Sequence, residues 1–220
     1  DTRRTYGFRR FTVLAAFTNG VALFVVAGWI IYEAAMRLAS PHPILAGPML
    51  VIAVVGLLVN IAAFAILHGA DRESLNVRGA MLHVLGSVAA IAAALIIMAT
   101  GWTAADPILS VMVALLLLRS AWMLTRESGH ILLEGAPRDL DVESVAADIA
   151  THVEGVIDIH HAHAWSLDER QPLMTMHARI AADGSPAEIV AAIKRRLSIT
   201  HNVKHATVEI EWDACASPDC

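Results

Sequence analysis

The sequence predicts an α-helical transmembrane bundle followed by an α+β cytoplasmic domain. Of its 220 residues, 56% are hydrophobic and 17% are charged, whereas about 25% of residues are charged in an average soluble domain. Residues 1–137 hold nine Arg against seven Asp and Glu, a balance of +2. Residues 138–220 hold seven Lys and Arg against fourteen acidic residues, a balance of −7. Because phosphate binding requires a basic surface, this acidic half argues against a nucleic-acid partner.

Four apolar segments in the first half approach the length of a membrane span. They cover residues 11–32, 49–67, 80–100 and 107–124. About 20 helical residues cross the ~30 Å hydrocarbon core of a bilayer. Apolar residues lie on all sides of each segment, so periodicity alone would also allow buried helices of a soluble core. The length and number of the segments favour four membrane helices.

The basic residues of the loops predict the orientation. Arg residues precede the first segment, separate the second from the third, and follow the fourth, at positions Arg3, Arg4, Arg9, Arg10, Arg72, Arg78, Arg126 and Arg138. The two other loops, at residues 40–48 and 101–106, contain neither Lys nor Arg. By the positive-inside rule the chain starts and ends in the cytoplasm. The acidic half is therefore predicted to be a cytoplasmic domain.

The acidic half alternates between helical and strand-like patterns. A helix is predicted at residues 142–153 and a second one at 187–197, after the turn Asp183-Gly184-Ser185-Pro186. Strands are predicted at 156–167, 173–181 and 204–212, where apolar and polar residues alternate. The order αββαβ predicts two helices on one face of an antiparallel three-stranded sheet, a ferredoxin-like arrangement of the kind found in metallochaperones. The domain boundaries are accordingly 1–137 and 138–220.

Several polar residues interrupt the apolar segments. His83 lies inside the third segment, where an ionisable side chain is costly and indicates either a Zn²⁺ ligand or a hydrogen bond to a neighbouring helix. One helical turn later stands Ser87 rather than a carboxylate, so the segment contains no complete ligand pair. Asn19 and Asn60 are expected to hydrogen-bond between helices, and Asp106 is expected to cap a helix.

Histidine is concentrated toward the end of the chain, where eight of the eleven lie from His130 onward. His160, His161 and His163 share the first predicted strand, His177 lies on the second, and His205 opens the third. If the strands form one sheet, imidazoles and the nearby Glu side chains converge, which suits Zn²⁺. We therefore predict His160, His163, His177 and His205 as metal ligands. The alternative is a sheet with exposed histidines that bind nothing.

Several motifs resemble those of the cation diffusion facilitator family, in the order in which that family carries them. They are Thr5-Tyr6-Gly7-Phe8-Arg9-Arg10, Asn76-Val77-Arg78-Gly79-Ala80 with His83-Val84-Leu85-Gly86, Asp106-Pro107-Ile108-Leu109-Ser110, Leu132-Leu133-Glu134-Gly135-Ala136-Pro137, His160-His161-Ala162-His163-Ala164-Trp165 and His205-Ala206-Thr207-Val208-Glu209-Ile210-Glu211. The ending Cys215-Ala216-Ser217-Pro218-Asp219-Cys220 resembles the ZitB/CzcD-like bacterial subgroup of zinc exporters. The resemblance covers essentially the whole chain.

The resemblance implies a homodimer in the bacterial inner membrane that exports Zn²⁺ in exchange for protons. It implies six helices per subunit, with residues 1–137 matching the third to the sixth. It also implies a transport site of two His/Asp pairs on the second and fifth helices, of which His83 is the residue matched here. In the cytoplasmic domain, the positions matching regulatory Zn²⁺ ligands are His160, His177 and His205.

Two departures from the family pattern leave alternatives open. Nothing in the sequence corresponds to the first two helices, and Gly86 is followed directly by Ser87 where the family has four further residues including Asp. We expect either that residues are missing from the sequence at these places or that the chain is truncated and does not transport. The alternative functions are a membrane-anchored zinc sensor and, less favoured, a membrane metallohydrolase, for which no nucleophile or oxyanion motif stands out.

Overall fold

The computed structural model describes residues 4–40, 45–68, 75–168 and 171–213, with only the backbone described for a few helical residues, among them 75–83. The chain forms two compact units. One comprises Asp1–Ala15 together with Glu127–Cys220, and the other comprises Ala16–Arg126.

Four long helices correspond to the four predicted apolar segments: α1 (Arg9–Ala39), α2 (Ala46–His68), α3 (Leu75–Thr100) and α4 (Ala105–Leu132). Three of them contain spans long and apolar enough to cross a membrane, at Arg9–Ala39, Ala46–Ala63 and Ala105–Leu132. In α3, the apolar helix within the described residues, Val84–Thr100, is shorter than the other three. Many large apolar side chains on these helices are exposed, such as Val25, Trp29 and Ile52. Exposed apolar side chains of this kind suit contact with the lipid tails of a bilayer.

Small residues allow the helices to approach one another closely. Ala27 of α1 and Ala114 of α4 are fully buried beside Leu117. At Gly20, an added Cβ would lie 3.1 Å from the backbone nitrogen of Thr125 and would overlap the Thr125 hydroxyl. Small residues at contacts of this kind are typical of membrane helices, where van der Waals packing replaces the hydrophobic effect.

The prediction that Asn60 bonds between helices is confirmed. Its side-chain amide donates to the hydroxyl of Ser87 at 2.9 Å, joining α2 to α3. Such bonds contribute about 0.6 kcal/mol on average in membrane proteins.

The second half has the predicted order αββαβ: α5 (Val142–His152), β1 (Val156–Ser166), β2 (Pro172–Ile180), α6 (Pro186–Thr200) and β3 (His205–Glu211). The strand order in the sheet is β1-β2-β3. The prediction of an antiparallel sheet is wrong in one respect: β1 and β2 pair antiparallel, but β2 and β3 pair parallel. The reason is that α6 connects two neighbouring strands, and a helical crossover returns the chain in its original direction.

The two helices cover one face of this sheet. Ile189, Ile193 and Leu197 recur at every fourth residue of α6 and are buried against the strands. Met174 and Met176 of β2 belong to the same core and are each 1% exposed. Since successive strand residues point to opposite faces, the residues between them lie on the outer face. That face carries the histidines.

Candidate metal centre

Strand pairing places two of the predicted histidines side by side. His160 of β1 is the register partner of His177 of β2, and their ring centroids lie 5.6 Å apart. On the other side of β2, the parallel register pairs His177 with Glu209 and Arg179 with Glu211. Alternate residues of a strand share a face, so both Glu side chains lie on the face that carries His177. Three neighbouring strands therefore supply polar groups to one patch.

A bulge in β1 keeps its histidines on that face. The register shifts between His160, paired with His177, and His163, paired with Thr175, so three steps on β1 match two on β2. His161 takes up the extra residue with a φ of 47°, in the left-handed region that a non-glycine residue seldom adopts. Without the bulge, His160 and His163 would point to opposite faces. With it, His161 also lies close, its ring centroid 4.8 Å from that of His177.

Glu211 lies between the two paired imidazoles. Its Oε2 lies 2.9 Å from Nε2 of His160, and its Oε1 lies 3.0 Å from Nδ1 of His177. The side chain of Glu211 is only 9% exposed, and those of His160 and His177 are 25% and 14% exposed. One ligand atom from each of the three residues can be chosen so that all lie within 4.8 Å of one another. We call these three residues the His-His-Glu cluster.

The outer nitrogen of each imidazole contacts one further carboxylate. Asp158 Oδ2 lies 3.0 Å from Nδ1 of His160, and Glu209 Oε2 lies 3.5 Å from Nε2 of His177. Each ring thus has one nitrogen toward Glu211 and the other toward a second carboxylate. Carboxylates in this outer position hold the ring orientation of metal-binding histidines and raise the basicity of the ligating nitrogen.

The donor set fits a transition-metal ion. Two imidazole nitrogens and one carboxylate oxygen are ligands that Zn²⁺ accepts, with a fourth position left for water or another side chain. Other divalent ions accept the same ligands, so the set alone does not select zinc. Imidazole and carboxylate groups bind a metal in their deprotonated forms, so we expect binding to weaken as the pH falls.

The structure brings together two of the five predicted ligands, His160 and His177. His163 is exposed, and its ring packs edge-on against that of His161 at 4.8 Å. His205 lies four residues from Glu209 along β3, about 13 Å away in an extended strand. Its Nε2 lies 3.4 Å from the hydroxyl of Tyr6. His83 lies in α3, and its side chain is outside the described residues. As ligands, all five remain predictions.

Sequence reasoning did not assign Glu211 or Asp158 as site residues. Glu211 belongs to the alternating polar positions of β3, together with Thr207 and Glu209, and that alternation was a usable signal. Whether Glu209 or Glu211 lies between the two imidazoles depends on the parallel register of β3, which the sequence pattern does not specify. Asp158 stands two residues before His160, the spacing that places both on one face of a regular strand.

A second charged group lies on the helices. Asp148 of α5 accepts two hydrogen bonds from Arg196 of α6, at 2.8 and 2.5 Å, and contacts Nε2 of His201 at 2.8 Å. The hydrogen bonds from Arg196, followed by that from His201, hold the pKa of the Asp148 carboxyl far below its ordinary value. Because a guanidinium occupies both carboxylate oxygens, this group joins the two helices rather than forming a cation site.

The expected cap at Asp106 is also different in the structure. Helix α4 begins at Ala105, so Asp106 lies within the first turn. Its Oδ2 accepts a hydrogen bond from Arg37 Nη1 of α1 at 2.9 Å. Asp106 therefore makes a contact between helices.

Comparisons with known proteins match both halves of the chain. Residues 1–133 match the family model described as the cation efflux transmembrane domain, and residues 137–212 match that of the cation efflux protein cytoplasmic domain. The zinc transporter ZitB of Yersinia pestis is 46% identical over 225 residues, which cover 100% of this chain and 72% of the relative. The cadmium, cobalt and zinc/H(+)-K(+) antiporter of Bacillus subtilis is 39% identical over 220 residues, 96% of this chain and 70% of the relative. The metal cation efflux system protein CzcD of Cupriavidus metallidurans is 38% identical over 224 residues, 100% of this chain and 71% of the relative.

Proposed function

The chain belongs to the cation efflux family, and from this premise we propose that it exports Zn²⁺ from the cytoplasm in exchange for protons. The observation that carries the proposal is the His-His-Glu cluster on the domain that follows the apolar helices. Its imidazole and carboxylate donors suit zinc, and binding of a metal to such donors releases protons. Relatives named as a zinc transporter and as an antiporter with protons support the same function.

In this proposal, Zn²⁺ is the substrate of the membrane helices. His83 of α3 supplies one imidazole to the transport site. Neutral imidazole binds Zn²⁺ while the site faces the cytoplasm, and protonation on the outer side lowers the affinity and releases the ion. Alternation between the two arrangements requires that Zn²⁺ and protons bind each arrangement with different affinity.

We further propose that the cytoplasmic domain is a regulatory zinc site and a homodimer interface. His160, His177 and Glu211 would hold the ion, while Asp158 and Glu209 orient the two imidazoles. His163 and His205 are predicted as further ligands and stand apart from these three. Metal on this domain would bias the dimer between two arrangements, so the two zinc sites would influence each other's affinity.

Zinc and proton flux in vesicles containing the full-length protein tests the proposal. We expect a zinc gradient to drive proton movement in the wild type and not in His83→Ala. His68→Ala, at the end of α2, is the matched control and should retain the flux. Undiminished proton flux in His83→Ala would remove His83 from the transport site. Zinc binding without any flux in the wild type would reject transport and favour the membrane-anchored sensor.

A further inference from the structure

A charged group lies at one end of α1 and α4, in helices that are otherwise strongly apolar. Arg37 Nη1 lies 2.9 Å from Asp106 Oδ2, and Arg37 Nε lies 3.2 Å from Glu33 Oε1. The side chain of Asp106 is 10% exposed, whereas that of Arg37 is 48% exposed. Ionisable residues in membrane helices are costly and mark functional positions. The proposed function assigns no role to this group.

The connectivity of the chain places the group on the outer side of the membrane. Helix α4 ends at Leu132, shortly before the cytoplasmic domain, so its first turn with Asp106 lies on the opposite side. Helix α1 begins with Arg9 and Arg10, which the positive-inside rule assigns to the cytoplasm. Its last turn with Arg37 therefore lies on the outer side as well.

Two cavities adjoin the ion pair. The outer cavity, of about 260 Å³, lies between α1 and α4 and is lined by Trp29, Ile30, Glu33, Ala34, Arg37, Pro107 and Ser110. The inner cavity, of about 200 Å³, lies among α1, α3 and α4, and its lining includes Ile30, Gly86, Asp106 and Ser110. Gly86 lies about 21 Å along α3 from the outer end at Thr100, at 1.5 Å per residue. The inner cavity therefore reaches the middle of the membrane helix.

The ion pair spans the boundary between the two cavities. Arg37 lines the outer cavity and Asp106 lines the inner one, while Ile30 and Ser110 line both. The 2.9 Å contact between the guanidinium and the carboxylate therefore connects one cavity wall to the other. Gly86 stands three residues after His83 in α3. The ion pair, at the outer ends of α1 and α4, therefore lies between the level of the proposed transport site and the outer side.

We propose that the Arg37–Asp106 ion pair is an outer gate, which separates when a cation passes from the inner cavity to the outer side. This proposal rests on the proposed transport function. A divalent cation or a proton in the inner cavity competes with the guanidinium for the Asp106 carboxylate, because each offers it a positive charge. In a medium of low polarity, that exchange avoids leaving the carboxylate uncompensated. Arg37 and Asp106 are positioning residues: they control access and hold no transported ion in the closed arrangement.

Thiol accessibility at the boundary tests the gate separately from transport. Ser110→Cys is introduced into full-length protein in which Cys215 and Cys220 are replaced by serine, and a membrane-impermeant thiol reagent is added from the outside. We expect slow labelling with the ion pair intact. With Arg37→Gln or Asp106→Asn, we expect labelling about tenfold faster, the change given by a shift of ~1.4 kcal/mol in the closed–open equilibrium.

Two further variants keep the test decisive. Glu127→Gln, toward the cytoplasmic end of α4, removes a carboxylate from the same helix away from the ion pair and should label at the unmodified rate. The charge reversal Arg37→Asp with Asp106→Arg, combined with Glu33→Gln so that two acidic side chains do not face each other one helical turn apart, should restore slow labelling, which a merely misfolded protein would not do. Equal labelling in all variants, or no recovery in the reversal, would overturn the gate.

Zinc flux measured in the same vesicles separates this proposal from the previous one. Normal flux in the Ser110→Cys protein, together with uniform labelling among the variants, would reject the gate and leave the transport function standing. Absence of flux in the wild type, with the expected labelling pattern, would reject transport while supporting control of access by the ion pair.

Discussion

Replacing Glu211 with glutamine is expected to weaken zinc binding to the cytoplasmic domain more than any other conservative change on the sheet. Glu211 is the negatively charged member of the His-His-Glu cluster, and both of its oxygens contact an imidazole, at 2.9 and 3.0 Å. Glutamine has nearly the same size, so the packing of this side chain, 9% exposed, is preserved. The change therefore tests charge and ligand chemistry rather than volume.

The size of the effect follows from the position of each carboxylate. Loss of an outer partner of a metal-binding histidine costs about 10–100-fold in affinity, so loss of a direct charged ligand should cost at least about 100-fold, or ~2.8 kcal/mol. Glu209 contacts the outer nitrogen of His177 at 3.5 Å and is 65% exposed. Glu209→Gln should therefore cost about tenfold, at the low end of that range.

Competition between the purified full-length protein and a coloured zinc chelator at constant pH measures these affinities. Glu143→Gln, in the first turn of α5 and away from the cluster, is the matched control and should leave the affinity unchanged. Wild-type affinity in Glu211→Gln, or a larger loss in Glu209→Gln, would refute the assignment of Glu211 as a direct ligand.

Three further changes test the rest of the domain. Asp148→Asn should lower the melting temperature at pH 7. Because folding lowers the pKa of Asp148, the ionised carboxylate stabilises the fold above ~pH 4, and this stabilisation is lost at lower pH. The difference in melting temperature from the wild type should therefore shrink in acid. A pH-independent difference would contradict this reasoning. Ile193→Ala, at a fully buried position of α6, should destabilise the domain by about 2–5 kcal/mol in denaturant unfolding while preserving the cluster; a loss below 1 kcal/mol would mean that the core relaxes around the cavity. His205→Ala should leave the affinity of the cluster unchanged in the chelator titration, since His205 lies about 13 Å along β3 from Glu209. A large loss of affinity would instead support the prediction of His205 as a ligand of the same ion.

Local patterns in the sequence were sufficient for the elements and their order. Apolar runs of membrane length predicted the four long helices, and alternation with turn signals predicted αββαβ. These features depend on residues within a few positions of one another, which is why a linear pattern contains them. The same holds for His160 and His177, whose imidazoles identify them as ligand candidates wherever they stand.

The tertiary structure decided how those elements meet. Parallel pairing of β3 with β2 brings Glu211 next to histidines that lie 51 and 34 residues away in the chain. The bulge at His161 and the contact between Arg37 and Asp106, 69 residues apart, are likewise set by pairing and packing. The sequence determined which chemical groups the protein has and which elements carry them. Only the tertiary structure decided which groups share a site, because contacts between distant residues depend on strand register and helix packing rather than on local periodicity.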